Sequence, residues 1–177
     1  MKYIFKAMLL GLLLSSMSMA KSKVSVKEVI ETSFQHVSAI ESKSLILSAT
    51  QFKEVRSRAK AAMKTKVYRY YDIVSSGKSI GKAVLITRKV RSQKATVLYA
   101  FDKKGTLRFS EIMAFGEPPE FVPSKIWMSQ LQKQKSSAKL TVGKDIPTIS
   151  GSTLSASSIT EGARVARAIY EIVLKSK

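Results

Sequence analysis

The chain has 177 residues, 45% of them apolar, which is enough for one domain with a real core and too few for two comfortable ones. It has no Cys, which removes disulfides, thiolate zinc sites, iron–sulfur clusters and covalent haem attachment, and its single His excludes multi-histidine metal sites. A formal charge of +19 favours acidic partners, anionic lipid surfaces or polyanions, but the cations are spread along the chain without an RNA-binding signature, so nucleic acid is not an expected partner.

Residues 1–20 read MKYIFKAMLLGLLLSSMSMA, with Lys2 and Lys6 ahead of an apolar run and small residues at its end. This is the pattern of a secretory signal peptide, its apolar core being shorter than the ~20 residues of a membrane span. The expected mature chain begins at Lys21, and loss of Lys2 and Lys6 takes the charge from +19 to +17. Export without cysteine suits a bacterial periplasm.

Val26, Val29, Ile30, Phe34, Val37 and Ile40 follow helical spacing, with Ser25 and Glu28 set as a capping box, so a helix is expected over 25–41. His36 falls inside it and reads as a partly exposed helix residue rather than a catalytic base. A second amphipathic helix is expected in QFKEVRSRAKAAM, where Phe52, Val55, Ala59 and Ala62 share a face and the other faces are basic. Such a helix packs on the domain or lies on an anionic membrane surface. Residues 21–66 thus read as an N-terminal helical segment.

From Val67 the pattern changes. VYRYYDIV, KAVLITRKV, ATVLYAF and TLRFSEIMAF are rich in β-branched and aromatic residues and are separated by SSGKS and DKKG, which predicts an antiparallel meander. GEPPEFVP breaks the pattern, SKIWMSQLQKQ resumes as a short helix, and Trp127 and Leu131 lie one helical step apart as core residues. The fold class expected is α+β, an antiparallel sheet packed with helices and preceded by the helical segment.

Ser150 to Ser158 holds six hydroxyls, and Ser158 and Glu161 read as a second capping box opening a helix with Ile159, Ala163, Ala166, Ile169, Tyr170 and Val173 on its apolar face. Glycine, hydroxyls and a helix start are the physical elements of a phosphate site. The spacing matches neither a Walker loop nor a dinucleotide fingerprint, and a plain capped loop is the other reading of the same residues.

The stretch GKDIPTISGSTLSASSIT, residues 143–160, resembles the C-terminal signature of the FMN-binding domain family, close to D-x-x-S-G-A-T-x-S-S-x-A-x-T. That family includes the flavin-carrying C subunit of the sodium-pumping NADH:quinone oxidoreductase and the G subunit of Rnf complexes. The likeness extends in order and spacing through GKSIGKAVLITRKV, TVLYAFDKKGTLRFSEIM and FGEPPEFVPSKIWMSQLQ, covering about Val67 to Lys175 and setting 67–177 as an FMN-binding domain. Ser152 stands where the pattern has Ala, and Pro147 where it has Asp, with Asp145 two residues upstream.

The resemblance implies that Thr153 is esterified to the phosphate of FMN by a separate flavin transferase that uses FAD. Ser150, Gly151 and Ser152 would then shape the turn and contact the phosphate, Ser155 would donate to it, and Glu117 would match the acidic residue near the flavin. It further implies an exported electron carrier, rather than an enzyme with its own substrate, serving an acidic redox partner or a membrane complex. The alternative from another class is a flavin-free or non-covalent FMN-binding module that docks on a membrane complex through its basic surface.

Overall fold

The computed structural model describes residues 25–132, 134 and 137–175; the expected signal peptide lies outside them. Five strands form an open antiparallel sheet in the order β1-β2-β3-β4-β5: Ala39–Ile46, Val67–Ser75, Lys78–Lys89, Lys94–Asp102 and Leu107–Phe115. Each strand pairs with its chain neighbour, as in the expected meander, and Ser76 and Gly77, both at positive φ, make the tight turn between β2 and β3.

Strand alternation sends side chains to two cores. Val97, Tyr99 and Phe101 of β4 face the larger one, while Leu98 and Ala100 face the smaller. The smaller core is closed by α1 (Val26–Ser33), whose Val29 and Ile30 pack with Ile73, Ala83, Leu98 and Phe109. The larger lies under α2 (Ala49–Ala59), α3 (Lys125–Gln132) and α4 (Thr153–Ile169), giving a helix, sheet, helix sandwich. No described helix is long and apolar enough to cross a membrane.

The N-terminal region departs from the expected helical segment. α1 stops at Ser33, where Phe34 adopts extended backbone and its N–H caps the helix on the Ile30 carbonyl. Residues 39–46 are a strand that pairs with β2 from Ala39↔Val74 to Ile46↔Val67. Val37 and Ile40 do pack beneath α1, but from extended backbone, so their helical spacing was coincidental. β1 is an edge strand with little buried besides Leu45, which is why it lacks the alternation that marks a strand. His36 lies in the connecting turn at φ 56°, not in a helix. With β1 in the sheet and α2 packed in the same core as α4, residues 25–66 are built into the domain rather than appended to it.

α4 also begins six residues earlier than expected, at Thr153 rather than Ile159. Ser158 is therefore no cap: it is buried inside the helix and donates to the Lys89 carbonyl at 3.0 Å. Glu161 pairs instead with Arg88, which also donates to the Ala62 carbonyl at 2.7 Å and so ties β3 to α4 and to the chain after α2. α4 is buried around most of its circumference, by the sheet on one side and by α2 on another. Burial of Ile159, Val165 and Ile169 stabilises the fold by about 1.5–3 kcal/mol each. The helix ends in a π turn, Tyr170–Leu174, where Tyr170 stacks on Phe101 at 5.1 Å.

Candidate functional site

The N-terminus of α4 opens into a cleft of about 300 Å³, lined by Gly151 to Ser155, by Val90 and Arg91 from the β3–β4 turn, by Glu117 after β5, and by Phe121. Phe121 ends a 3-10 turn, Pro119–Phe121, in the proline-rich stretch. Two segments far from it in sequence, 90–91 and 117–121, thus converge on the first turn of one helix.

Gly151 precedes that turn at φ 74°, a left-handed conformation that a side chain would strain, and it lets the chain reverse from the 147–150 stretch, exposed except at Ile149, into α4. Ser152 is the N-cap by position, yet its backbone (φ −130°, ψ 32°) makes no side-chain cap; its hydroxyl donates at 3.3 Å to the Glu120 carbonyl. The first-turn amides of α4 are therefore left without a side-chain acceptor, the arrangement that favours an external anion. Thr153 is the first helical residue and is exposed, and its hydroxyl makes only a long bond, 3.4 Å, back to the Ile149 carbonyl. Ser155, one residue beyond Leu154, is buried at the cleft floor.

The preceding stretch is held from below. Trp127 on α3 donates its indole N–H to the Pro147 carbonyl at 2.8 Å. Asp145 accepts from the Thr141 amide at 3.0 Å, closing the 141–146 turn on itself.

Glu117 is part of the cleft wall, but its carboxylate is committed elsewhere. Oε1 accepts from three successive amides, Arg91 at 2.9 Å, Ser92 at 2.6 Å and Gln93 at 2.7 Å, and Oε2 accepts from the Ser92 hydroxyl at 3.1 Å. The Gln93 amide first, and then those of Arg91 and Ser92 with the Ser92 hydroxyl, hold this carboxyl below the usual glutamate range against the opposing effect of burial. Glu117 is thus ionised and organises the β3–β4 turn. That turn presents Arg91, whose guanidinium lies over the Phe121 ring at 5.7 Å, as the cation on the cleft.

Of the residues singled out in the sequence, Gly151, Ser152, Thr153, Ser155 and Glu117 line the one cleft, whereas Ser150 is exposed in the turn before it. Arg91, Val90 and Phe121 were not foreseen. Nothing local marks them, because RKVRSQK reads as an ordinary basic turn and only the sheet register brings it to α4. Among the described residues no group of three or more His, Asp or Glu could hold a metal. In comparisons with known proteins, the sequence matched no protein-family model and no curated protein.

Proposed function

We propose that the chain is an exported flavoprotein that carries FMN on Thr153 through a phosphoester and transfers electrons in a periplasmic or membrane-associated redox chain. The observation that supports this reading best is the convergence on one cleft of an exposed Thr153 hydroxyl, uncapped helix amides and Arg91. These are the groups a phosphate monoester needs: an esterifiable oxygen, N–H donors and a countercharge. Phe121 and Leu154 add apolar walls, and a cleft at the lower end of the usual ligand-pocket range holds the phosphate end while leaving the rest of a longer ligand accessible.

Attachment would join Thr153 Oγ1 to phosphorus while the pyrophosphate bond of FAD breaks and AMP leaves. The hydroxyl proton would pass to a base of the transferase, since Glu117 is ionised but turned onto three amides. When bound, FMN supplies one- and two-electron chemistry, and the protein supplies binding, orientation and electrostatics. Arg91 would offset the remaining phosphate charge, while Glu117 keeps the turn that carries Arg91 in place and Trp127 fixes the approach to Gly151 through Pro147.

Intact mass tests the reading. Protein co-produced with a flavin transferase is expected to be yellow and heavier than the polypeptide by one FMN phosphoester, and Thr153→Val is expected to lose both properties. A wild-type chain at the bare polypeptide mass would refute the covalent link.

One observation favours the second reading, a non-covalent or flavin-free docking module. Pro147 occupies the place of the family's Asp, and the nearby Asp145 carboxylate closes its own turn. Flavin released on denaturation of an unshifted protein would support the non-covalent form, and no flavin at all the docking module.

A further inference from the structure

α4 has a second charged surface at its other end. Between the C-terminal part of α2, residues 137–141 and the flank of α4 runs a groove of about 910 Å³, lined by Arg58, Lys60, Lys139, Arg164 and Arg167 against the one carboxylate of Glu171. Arg164 and Arg167 lie eleven and fourteen residues beyond Thr153, or about 16 and 21 Å along the helix axis, so the groove is a separate feature from the cleft.

The cations at the floor of this groove are fixed. Arg164 donates to the carbonyls of Ala59 at 2.9 Å, Leu140 at 3.0 Å and Lys60 at 3.3 Å, and Arg167 donates to Ala138 at 2.7 Å. These bonds latch α2 and the 138–140 stretch to α4, and being made to neutral carbonyls they hold Arg164 without neutralising its charge. Three bonds leave Arg164 with an N–H on each terminal nitrogen. Arg58 and Arg167 share Glu171: Arg58 donates to it at 3.1 Å, and the charge of Arg58 adds to burial in opposing protonation of Arg167 while Glu171 favours it. A recess lined by five cations and one carboxylate carries a net positive field, which the concave surface focuses outward.

We infer that this groove is a docking site for an acidic, extended segment of a partner protein, whose carboxylates meet Arg58, Lys60, Lys139 and Arg164. The recess decides between sources of negative charge. A plane of lipid headgroups would reach the exposed Lys60 and Lys139 but not the half-buried Arg164 at the floor, whereas side chains of an extended peptide enter the groove. Guanidinium also matches carboxylate in a planar, two-point fashion. This inference does not depend on flavin attachment and is tested without it.

The test is fluorescence anisotropy with a labelled peptide of alternating Glu and Ser, at low and at physiological salt, alongside sedimentation with phosphatidylglycerol vesicles. The groove variant combines Arg58→Gln, Lys60→Asn and Lys139→Gln. Asn suits the left-handed backbone at position 60, and the Arg164 and Arg167 latches are left intact. The control removes the same charge elsewhere, by Lys27→Gln, Lys78→Gln and Lys94→Gln, and unchanged melting temperatures establish that both variants fold. The groove variant is expected to bind the peptide about tenfold more weakly and the control within about twofold of wild type. Equal weakening in both would show that only net charge matters. Vesicle binding lost in the groove variant, without peptide binding by the wild type, would assign the groove to headgroups. Either result overturns the inference.

Discussion

Gly162 sets how closely α4 seats on the sheet, and it gives the sharpest test of the architecture that aims Thr153 into the cleft. A Cβ at this position would lie 2.6 Å from the Tyr99 hydroxyl oxygen, with the next ring atoms at 3.3 and 3.4 Å. Tyr99 is almost fully buried and donates that hydroxyl to the Ile159 carbonyl at 2.7 Å, one turn earlier on the same helix. Burial pushes its phenol far above the ordinary range, with Arg88 opposing, so it remains a neutral donor. On helix propensity alone, Gly162→Ala would stabilise by about 1 kcal/mol. Overpacking costs about 1–3 kcal/mol, and a Tyr99 hydroxyl turned from its acceptor adds a penalty of similar size, so a net loss of about 2 kcal/mol is expected. In urea this lowers the midpoint by roughly 1 M at unchanged slope. Tyr99→Phe removes the atom that clashes, so in that background Gly162→Ala is expected to be neutral or stabilising by up to about 1 kcal/mol. An equal cost of Gly162→Ala in both backgrounds, or no cost with Tyr99 present, would refute the claim that this contact seats the helix.

Two further outcomes follow from the charged groups. Glu117→Gln is expected to speed amide hydrogen exchange at Arg91, Ser92 and Gln93, which lose their charged acceptor, while β4 amides stay protected. Because the Glu117 carboxyl is held below its ordinary 4.5, the ordering it provides is complete at neutral pH and disappears as pH falls through that lowered value, which exchange measured down a pH series will show. Asp72→Asn isolates the buried Lys82 ammonium, which Asp72 accepts at 2.9 Å, and is expected to cost about 3 kcal/mol by denaturant titration. Burial raises the Asp72 carboxyl, but the Ser79 and Lys82 bonds and the nearby lysine charges outweigh it, so this stability too is present at neutral pH and lost toward acid.

The meander was legible because its central strands are buried on both faces and its turns are local, so VLIT, TVLYAF and the flanking Gly77 and Gly105 carry the pattern by themselves. β1 was not legible. Its residues are mostly exposed and its pairing is with β2, some thirty residues away, so Phe34, Val37 and Ile40 read as a continued helix. At the other end, Ser158 and Glu161 fit a capping box in spacing. Each has a stronger tertiary partner, the Lys89 carbonyl and Arg88, and the helix extends back through them to Thr153.

The candidate site divides along the same line. Sequence by itself singled out the hydroxyl-rich stretch around Gly151 and Thr153, since glycine at a turn and hydroxyls near a helix start are short-range chemistry. It also determined the excess of positive charge and the absence of thiol chemistry, which need no fold. Only the tertiary structure decided that Glu117 faces three amides, that Arg91 and Phe121 border Thr153, and that a basic groove lies along α4 well away from them. Those relations span from about 25 to more than 100 residues of sequence and are set by strand register and helix packing, which no local pattern of residues encodes.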